Sequence, residues 1–228
     1  MQNTWFLSTM DHHELPHGVR YPHIAAPENV VSRYIERYSR QGQLVFDPFA
    51  GYGSTLRVAQ RLGRRAFGVE IDSERLEYAS RHLEGDVQLV SGDSKRLKPS
   101  DLPDIHFCFT GLPFFASARL MNVDIPCLGA SYDEYLADLA SIFDIVNQRL
   151  APGGYVVTLT SNFQVGRSFF HSGSAPGLFT QAWDTGKCIA KVIPLVAEEI
   201  WCISKGTGLS PFAGQHGYFL IFRKPQAN

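Results

Sequence analysis

Residues 44–62 carry the pattern that most constrains the fold. The apolar run Leu44-Val45-Phe46 leads into Asp47-Pro48-Phe49-Ala50-Gly51-Tyr52-Gly53-Ser54-Thr55, and the helical spacing Leu56, Val58, Ala59, Leu62 follows. A strand that enters a helix through a glycine turn returns by a right-handed crossover, which lays the next strand parallel beside the first. Ala66 to Val69, ending in Glu70, is that next strand.

The alternation continues. A helix is predicted from Asp72 to Leu83, then strands at Val87 to Val90, ending at Gly92-Asp93, and Ile105 to Phe109, ending at Thr110-Gly111. Ser131 with Glu134 three residues on forms a capping box ahead of Leu136, Leu139, Phe143, Val146 and Leu150, the stripe of a long amphipathic helix. Ala151-Pro152-Gly153-Gly154 reads as the turn into a fifth strand, Tyr155 to Leu159. Glu199 to Ile203 and Tyr218 to Phe222 read as an antiparallel pair at the sheet edge. Upstream, Pro27 opens a helix with Val30, Val31, Tyr34, Ile35 and Tyr38 on one face and Arg33, Arg37 and Arg40 on the other. The expectation is a single α/β domain over residues 1–228: a Rossmann-like three-layer α/β/α fold with a mostly parallel seven-stranded sheet. Residues 1–27 are expected to form an irregular arm and residues 161–194, with a helix near Lys187, a variable substrate-side segment.

Ligands of open α/β sheets bind beyond the carboxyl ends of the strands, so Asp47, the Gly51 and Gly53 turn, Glu70, Asp93 and Thr110 to Phe115 should surround one cleft. The glycines let the backbone approach a ligand, and a carboxylate at the end of the second strand can accept both hydroxyls of a ribose. An adenosine-containing cofactor fits that set.

These residues resemble the S-adenosylmethionine-dependent amino-methyltransferases of DNA, which modify cytosine N4 or adenine N6. Asp47 through Thr55 is similar to that family's cofactor loop, Leu62 through Glu70 to its second strand and ribose acid, and Tyr21-Pro22 through Pro27 to the segment that closes over the methionine part. Ser131 to Gly154 resembles the helix and Pro-Gly-Gly turn after the catalytic strand, and His216 to Lys224 the closing strand. The resemblance implies a class I methyltransferase fold. It also implies S-adenosylmethionine held by Tyr21, Asp47, Phe49, Ala50, Gly51, Gly53, Ser54, Thr55, Glu70, Ile71, Asp93 and Ser94, with S-adenosylhomocysteine as product.

At the family's catalytic tetrad, which is Asp, Asn or Ser followed by Pro-Pro and an aromatic residue, this chain has Gly111-Leu112-Pro113-Phe114. The polar side chain that would accept a hydrogen of the target amine is missing. The catalytic wall is expected to be Thr110, Gly111, Leu112, Pro113 and Phe114, with Phe114, Phe115 and Asn162 against the substrate. Thr110, Asn162 and Tyr132 are candidate replacements for the lost acceptor. Two acceptors stand side by side, a nucleobase and a small planar molecule or nucleoside; a non-catalytic S-adenosylmethionine-binding protein is the alternative.

Charge weighs on the polymer. Lys and Arg number 21 against 22 Asp and Glu, a formal net charge of -1, and a dedicated polyanion binder is normally basic. Nucleic acid is therefore a partner that charge does not support, and the cluster Arg57, Arg61, Arg64 and Arg65 reads as a solvated face. Cys108, Cys127, Cys188 and Cys202 have no metal-ligand or disulfide spacing, and His12, His13, His17 and His23 have no regular one, so no metal is expected. No run has the length of a membrane span or signal peptide, and the expected location is cytoplasmic. The oligomeric state is not encoded in any of these patterns.

Overall fold

The computed structural model describes residues 5–8, 26–115, 131–165, 177–203 and 216–227. Ten strands and five α-helices are assigned among them: β1 Trp5–Ser8, α1 Glu28–Tyr38, β2 Leu44–Asp47, α2 Ser54–Arg61, β3 Arg65–Glu70, α3 Ser73–Ser80, β4 Val87–Ser91, β5 Ile105–Gly111, α4 Tyr132–Arg149, β6 Leu150–Thr160, β7 Phe163–Val165, β8 Gly177–Phe179, α5 Gln181–Ile189, β9 Leu195–Ile203 and β10 His216–Arg223.

Eight strands form one sheet in the order β1-β9-β10-β6-β5-β2-β3-β4, and β7 and β8 form a separate antiparallel pair. Every neighbouring pair of the large sheet is parallel except the two that β10 makes, with β6 and with β9. The α/β architecture is as expected, with three differences. The sheet has eight strands rather than seven. Residues 1–27 are not irregular throughout, because Trp5–Ser8 pairs in parallel with Ile200 to Ile203; four residues are too few to show a period, and their partner lies at the far end of the chain. For the same reason the antiparallel pair β9 and β10 is not the edge, since β1 lies outside it. The turn at Ala151 to Gly154 is absorbed into β6, where Gly153 at φ 75° and Gly154 exchange hydrogen bonds with Lys224.

The core is aromatic on the α1 side. Tyr34 lies 4.5 Å from Phe219 and 5.8 Å from Phe109, ring centre to ring centre, and Tyr38 lies 4.5 Å from Tyr155. Its neighbours on β5, Phe107 and Phe109, alternate with Cys108 and Thr110, as a strand requires. The capping box at Ser131 and Glu134 forms as expected, each side chain accepting from the other residue's backbone N–H. Cys108 and Cys188 are buried free thiols and Cys202 is half-buried; Cys127 lies outside the described residues. No described helix is long and apolar enough to cross a membrane.

Candidate active site

In this strand order β3 departs to one side of β2 and β5 to the other, so the crevice beyond their carboxyl ends opens between Asp47 and Gly111. Asp47 is 2% exposed. Its Oδ1 accepts the Phe49 N–H at 3.0 Å and the Thr110 hydroxyl at 2.6 Å, and the Thr55 hydroxyl also donates to the carboxylate. Burial pushes its pKa up to about 6, opposed by these three donors. Asp47 therefore folds the loop and ties β2 to β5. The Thr110 hydroxyl, read from sequence as a stand-in acceptor, donates its hydrogen bond to Asp47 instead, and Thr110 is fully buried.

Along the loop, the Ala50 N–H bonds the Val69 carbonyl at 3.0 Å, fastening it to β3. Gly53, at φ 81°, caps α2 in a conformation that side chains disfavour, and a Cβ there would come within 3.1 Å of the Ala79 Cβ. Gly51, at φ 54°, presents its N–H to Glu70 Oε2 at 2.7 Å. The other oxygen of Glu70 accepts from Asp72 N at 2.9 Å. Burial raises the Glu70 pKa and the two backbone donors lower it. Each carboxylate oxygen has two acceptor sites, so Glu70 keeps capacity for ligand hydroxyls. Phe49 packs against the core, and Ser54 and Thr55 are buried in the first turn of α2.

Beside Glu70 lies a cavity of about 560 Å³ lined by Ile71, Ser91, Gly92, Asp93, Arg96 and Leu97. Ile71 and Asp93 were expected there; Ser91, Arg96 and Leu97 were not, because a strand end and a short 3₁₀ turn carry no motif. Asp93 accepts from Lys95 N at 3.0 Å, while the Ser94 hydroxyl turns inward to the Pro48 carbonyl at 2.5 Å and braces the loop from below. An adenosine fits these acceptors: a carboxylate with spare lone pairs for its hydroxyls, next to a cavity with aliphatic walls and a second carboxylate. Tyr21 lies outside the described residues.

Arg57 was read as part of a solvated face, and the structure corrects this. Its side chain is 10% exposed, pairs with Glu28 at 3.0 Å and donates to the Tyr52 carbonyl at 2.5 Å. Arg61 joins the same Glu28 at 2.8 Å, so α1 is clamped to the helix that follows the loop. Arg64 is spent on Ser39 and Leu62, and Arg65 on Asp86. The role of Glu28 was missed; its one trace in the sequence is an acidic residue at the start of a helix whose outer face is basic.

Opposite the loop, Gly111 ends β5. A Cβ built on it meets no described atom within 4 Å, so packing does not require glycine there. Leu112 N bonds the Leu159 carbonyl at 2.9 Å, and the Pro113 carbonyl accepts from Tyr135 Oη at 2.9 Å and Gln181 Nε2 at 3.3 Å. The wall is thereby locked to α4 and α5; Gln181, fully buried, was not foreseen. Phe114 meets Phe163 edge-on at 5.4 Å, and Phe115 joins Tyr132, Tyr135 and Phe179 in an aromatic cluster. Both rings are 8% exposed. Tyr132 donates to Asp184 at 3.1 Å, and Asn162 Oδ1 accepts from Ala182 N at 2.8 Å.

Residues 1–81 match the model of a family described as DNA methylase, N6_N4_Mtase. Among curated proteins, the type II methyltransferase M2.DpnII of Streptococcus pneumoniae is 40% identical over 60 residues, covering 26% of this chain and 22% of that one. M.HpaI of Haemophilus parainfluenzae is 34% identical over 88 residues, covering 37% and 28%. The matched stretches thus span less than a third of either relative. Among solved structures, the N-methyltransferase NodS of Bradyrhizobium japonicum WM9, in complex with S-adenosylhomocysteine, superposes with a TM-score of 0.56 at 11% identity, over 87% of this chain and 86% of that one. The chain has the Rossmann-like fold of S-adenosylmethionine-dependent methyltransferases, and the part of it that holds the loop and Glu70 is similar in sequence to the DNA N4/N6 methylases.

Proposed function

We propose that this protein is an S-adenosylmethionine-dependent N-methyltransferase acting on the exocyclic amine of a nucleobase. The observation that carries the reading is the junction of the Asp47–Thr55 loop with Glu70, whose carboxylate is set by the Gly51 and Asp72 N–H groups beside a cavity. When bound, S-adenosylmethionine would supply a sulfonium methyl whose carbon the acceptor lone pair attacks in line, the C–S bond breaking as the N–C bond forms and S-adenosylhomocysteine leaving. The chain's share is alignment, which can supply on the order of 7–11 kcal/mol at best. Glu70 accepts from the ribose, Asp47 and Ser94 hold the loop, and the Gly111–Phe114 wall excludes water and faces the acceptor. The similarity of residues 1–81 to DNA methylases supports a nucleobase amine over other acceptors. The missing side chain at Gly111 lowers the help given to a weakly nucleophilic amine without closing the site.

The test is transfer of labelled methyl from S-adenosylmethionine into single-stranded DNA, RNA and free nucleosides, together with S-adenosylhomocysteine binding by calorimetry. Label should enter nucleobase amines. Glu70→Ala should weaken cofactor binding by on the order of 10- to 100-fold, the loss of hydrogen bonds to a charged group, and Gly111→Ser should raise the rate. Label confined to nucleosides would move the substrate to a small molecule. No label with intact S-adenosylhomocysteine binding would leave a binding protein.

A further inference from the structure

On the substrate side of the site one buried side-chain amide donor has no partner among the described residues. Three acceptors near the wall are engaged: the Pro113 carbonyl by Tyr135 and Gln181, the Leu159 carbonyl by Leu112, and Asp47 by Thr110. Asn162 is different. It follows β6, whose Leu159 stands opposite Gly111, and it precedes Phe163, which packs edge-on against Phe114, so it sits at the wall's end of the sheet.

The amide's orientation is settled by its neighbour. Ala182 N lies in the first turn of α5, where backbone N–H groups lack partners inside the helix, and Thr180 does not cap that helix with its side chain. Because Ala182 N is a donor, the atom facing it at 2.8 Å must be Oδ1, which leaves the NH₂ end. Nδ2 is shielded from solvent and has no hydrogen-bond partner among the described residues. Buried amides normally have partners on both ends. The hydroxyls of Thr158 and Thr160 also lack partners, but both residues are fully buried within the length of β6. Asn162 lies past the strand end.

We infer that Asn162 is a specificity-determining residue that donates from Nδ2 to the ring nitrogen flanking the reactive amine of the substrate base. Cytosine N4 and adenine N6 both lie next to such a ring nitrogen, and an amine without that lone pair leaves the donor unsatisfied. Oδ1 keeps its structural duty at α5, so one side chain joins the frame of the wall to the reading of the base. This inference rests on the proposed methylation of a nucleobase amine.

The experiment compares kcat/KM for methyl transfer to single-stranded oligonucleotides containing cytosine or 3-deazacytosine, and adenine or 1-deazaadenine or 7-deazaadenine, by the wild type and by Asn162→Asp. The aspartate keeps an oxygen for Ala182 N and removes the donor. For the base that is methylated, the wild type should lose on the order of 10- to 100-fold when the contacted ring nitrogen becomes carbon and the donor is left unsatisfied. In Asn162→Asp the parent base should fall by a similar factor and the deaza penalty should shrink to within about threefold, the signature of a shared contact. An equal deaza penalty in both proteins, or none in the wild type, overturns the inference; the wild-type arm holds even if the variant does not fold. No label from either parent oligonucleotide with the wild type overturns the nucleobase reading itself, and this inference with it.

Discussion

At Asp47 a carboxylate with almost no solvent contact is held by two hydroxyls and a backbone N–H. Its pKa of about 6 lies above the unfolded value of 3.8, so folding favours the protonated form. That contribution is complete below the unfolded pKa and is lost as pH rises through 6. Asp47→Asn keeps Oδ1 as an acceptor for Phe49 and Thr110 and removes the titration. The variant should lose the Asp47 part of the fall in stability between pH 4 and 7, so that its stability relative to the wild type rises by about 3 kcal/mol from pH 3 to pH 8; chemical denaturation across that range measures it, and an unchanged difference at the two ends would contradict it. The loop and Glu70 could be read from sequence because glycine spacing and a strand-terminal acid are local signals. Thr110, Gln181 and Glu28 could not be assigned, because each takes its role from a partner far along the chain.

Among the elements, the β3–α2 contact is the tightest around the loop. Gly68 lies in β3, where a Cβ would stand 2.7 Å from Leu56 Cδ1 and 3.0 Å from Ala50 Cβ. The helix after the loop thus reaches the sheet only over a bare backbone, and Gly68→Val should lower stability by about 2–3 kcal/mol through overpacking, read as a fall in unfolding midpoint. A comparable variant at Gly111, where no described atom lies within 4 Å, should leave the midpoint unchanged. Strand and helix positions were legible from residue 28 to residue 91, where each strand pairs with the next one in sequence. The segment 161–194 was read as variable, and it holds β7, β8 and α5. The helix expected near Lys187 is α5, whereas the β7–β8 pair is three residues deep and too short to show a period.

On the scale of the whole molecule, the two ends of the described chain are knitted across the α1 face. Glu199 of β9, 4% exposed, accepts from Tyr34 at 2.9 Å and from Arg37, with Arg33 at 3.6 Å. Arg33 also lies 4.6 Å above the Phe6 ring of β1. Removing the carboxylate strands a buried hydroxyl and a guanidinium, so Glu199→Ala should destabilise by about 3–5 kcal/mol and Glu199→Gln by less; urea titrations of the two compare them directly. The parallel pairing of Trp5–Ser8 with Ile200 to Ile203 carries a temporal consequence. Closing so long a loop of sequence is slow, and the template that β1 needs does not exist until β9 is in place. The first described strand is therefore among the last to dock. Until it does, the outer rim of β9 is an unpaired edge that invites association between chains, so refolding yield should fall with protein concentration long after the cofactor cleft has formed.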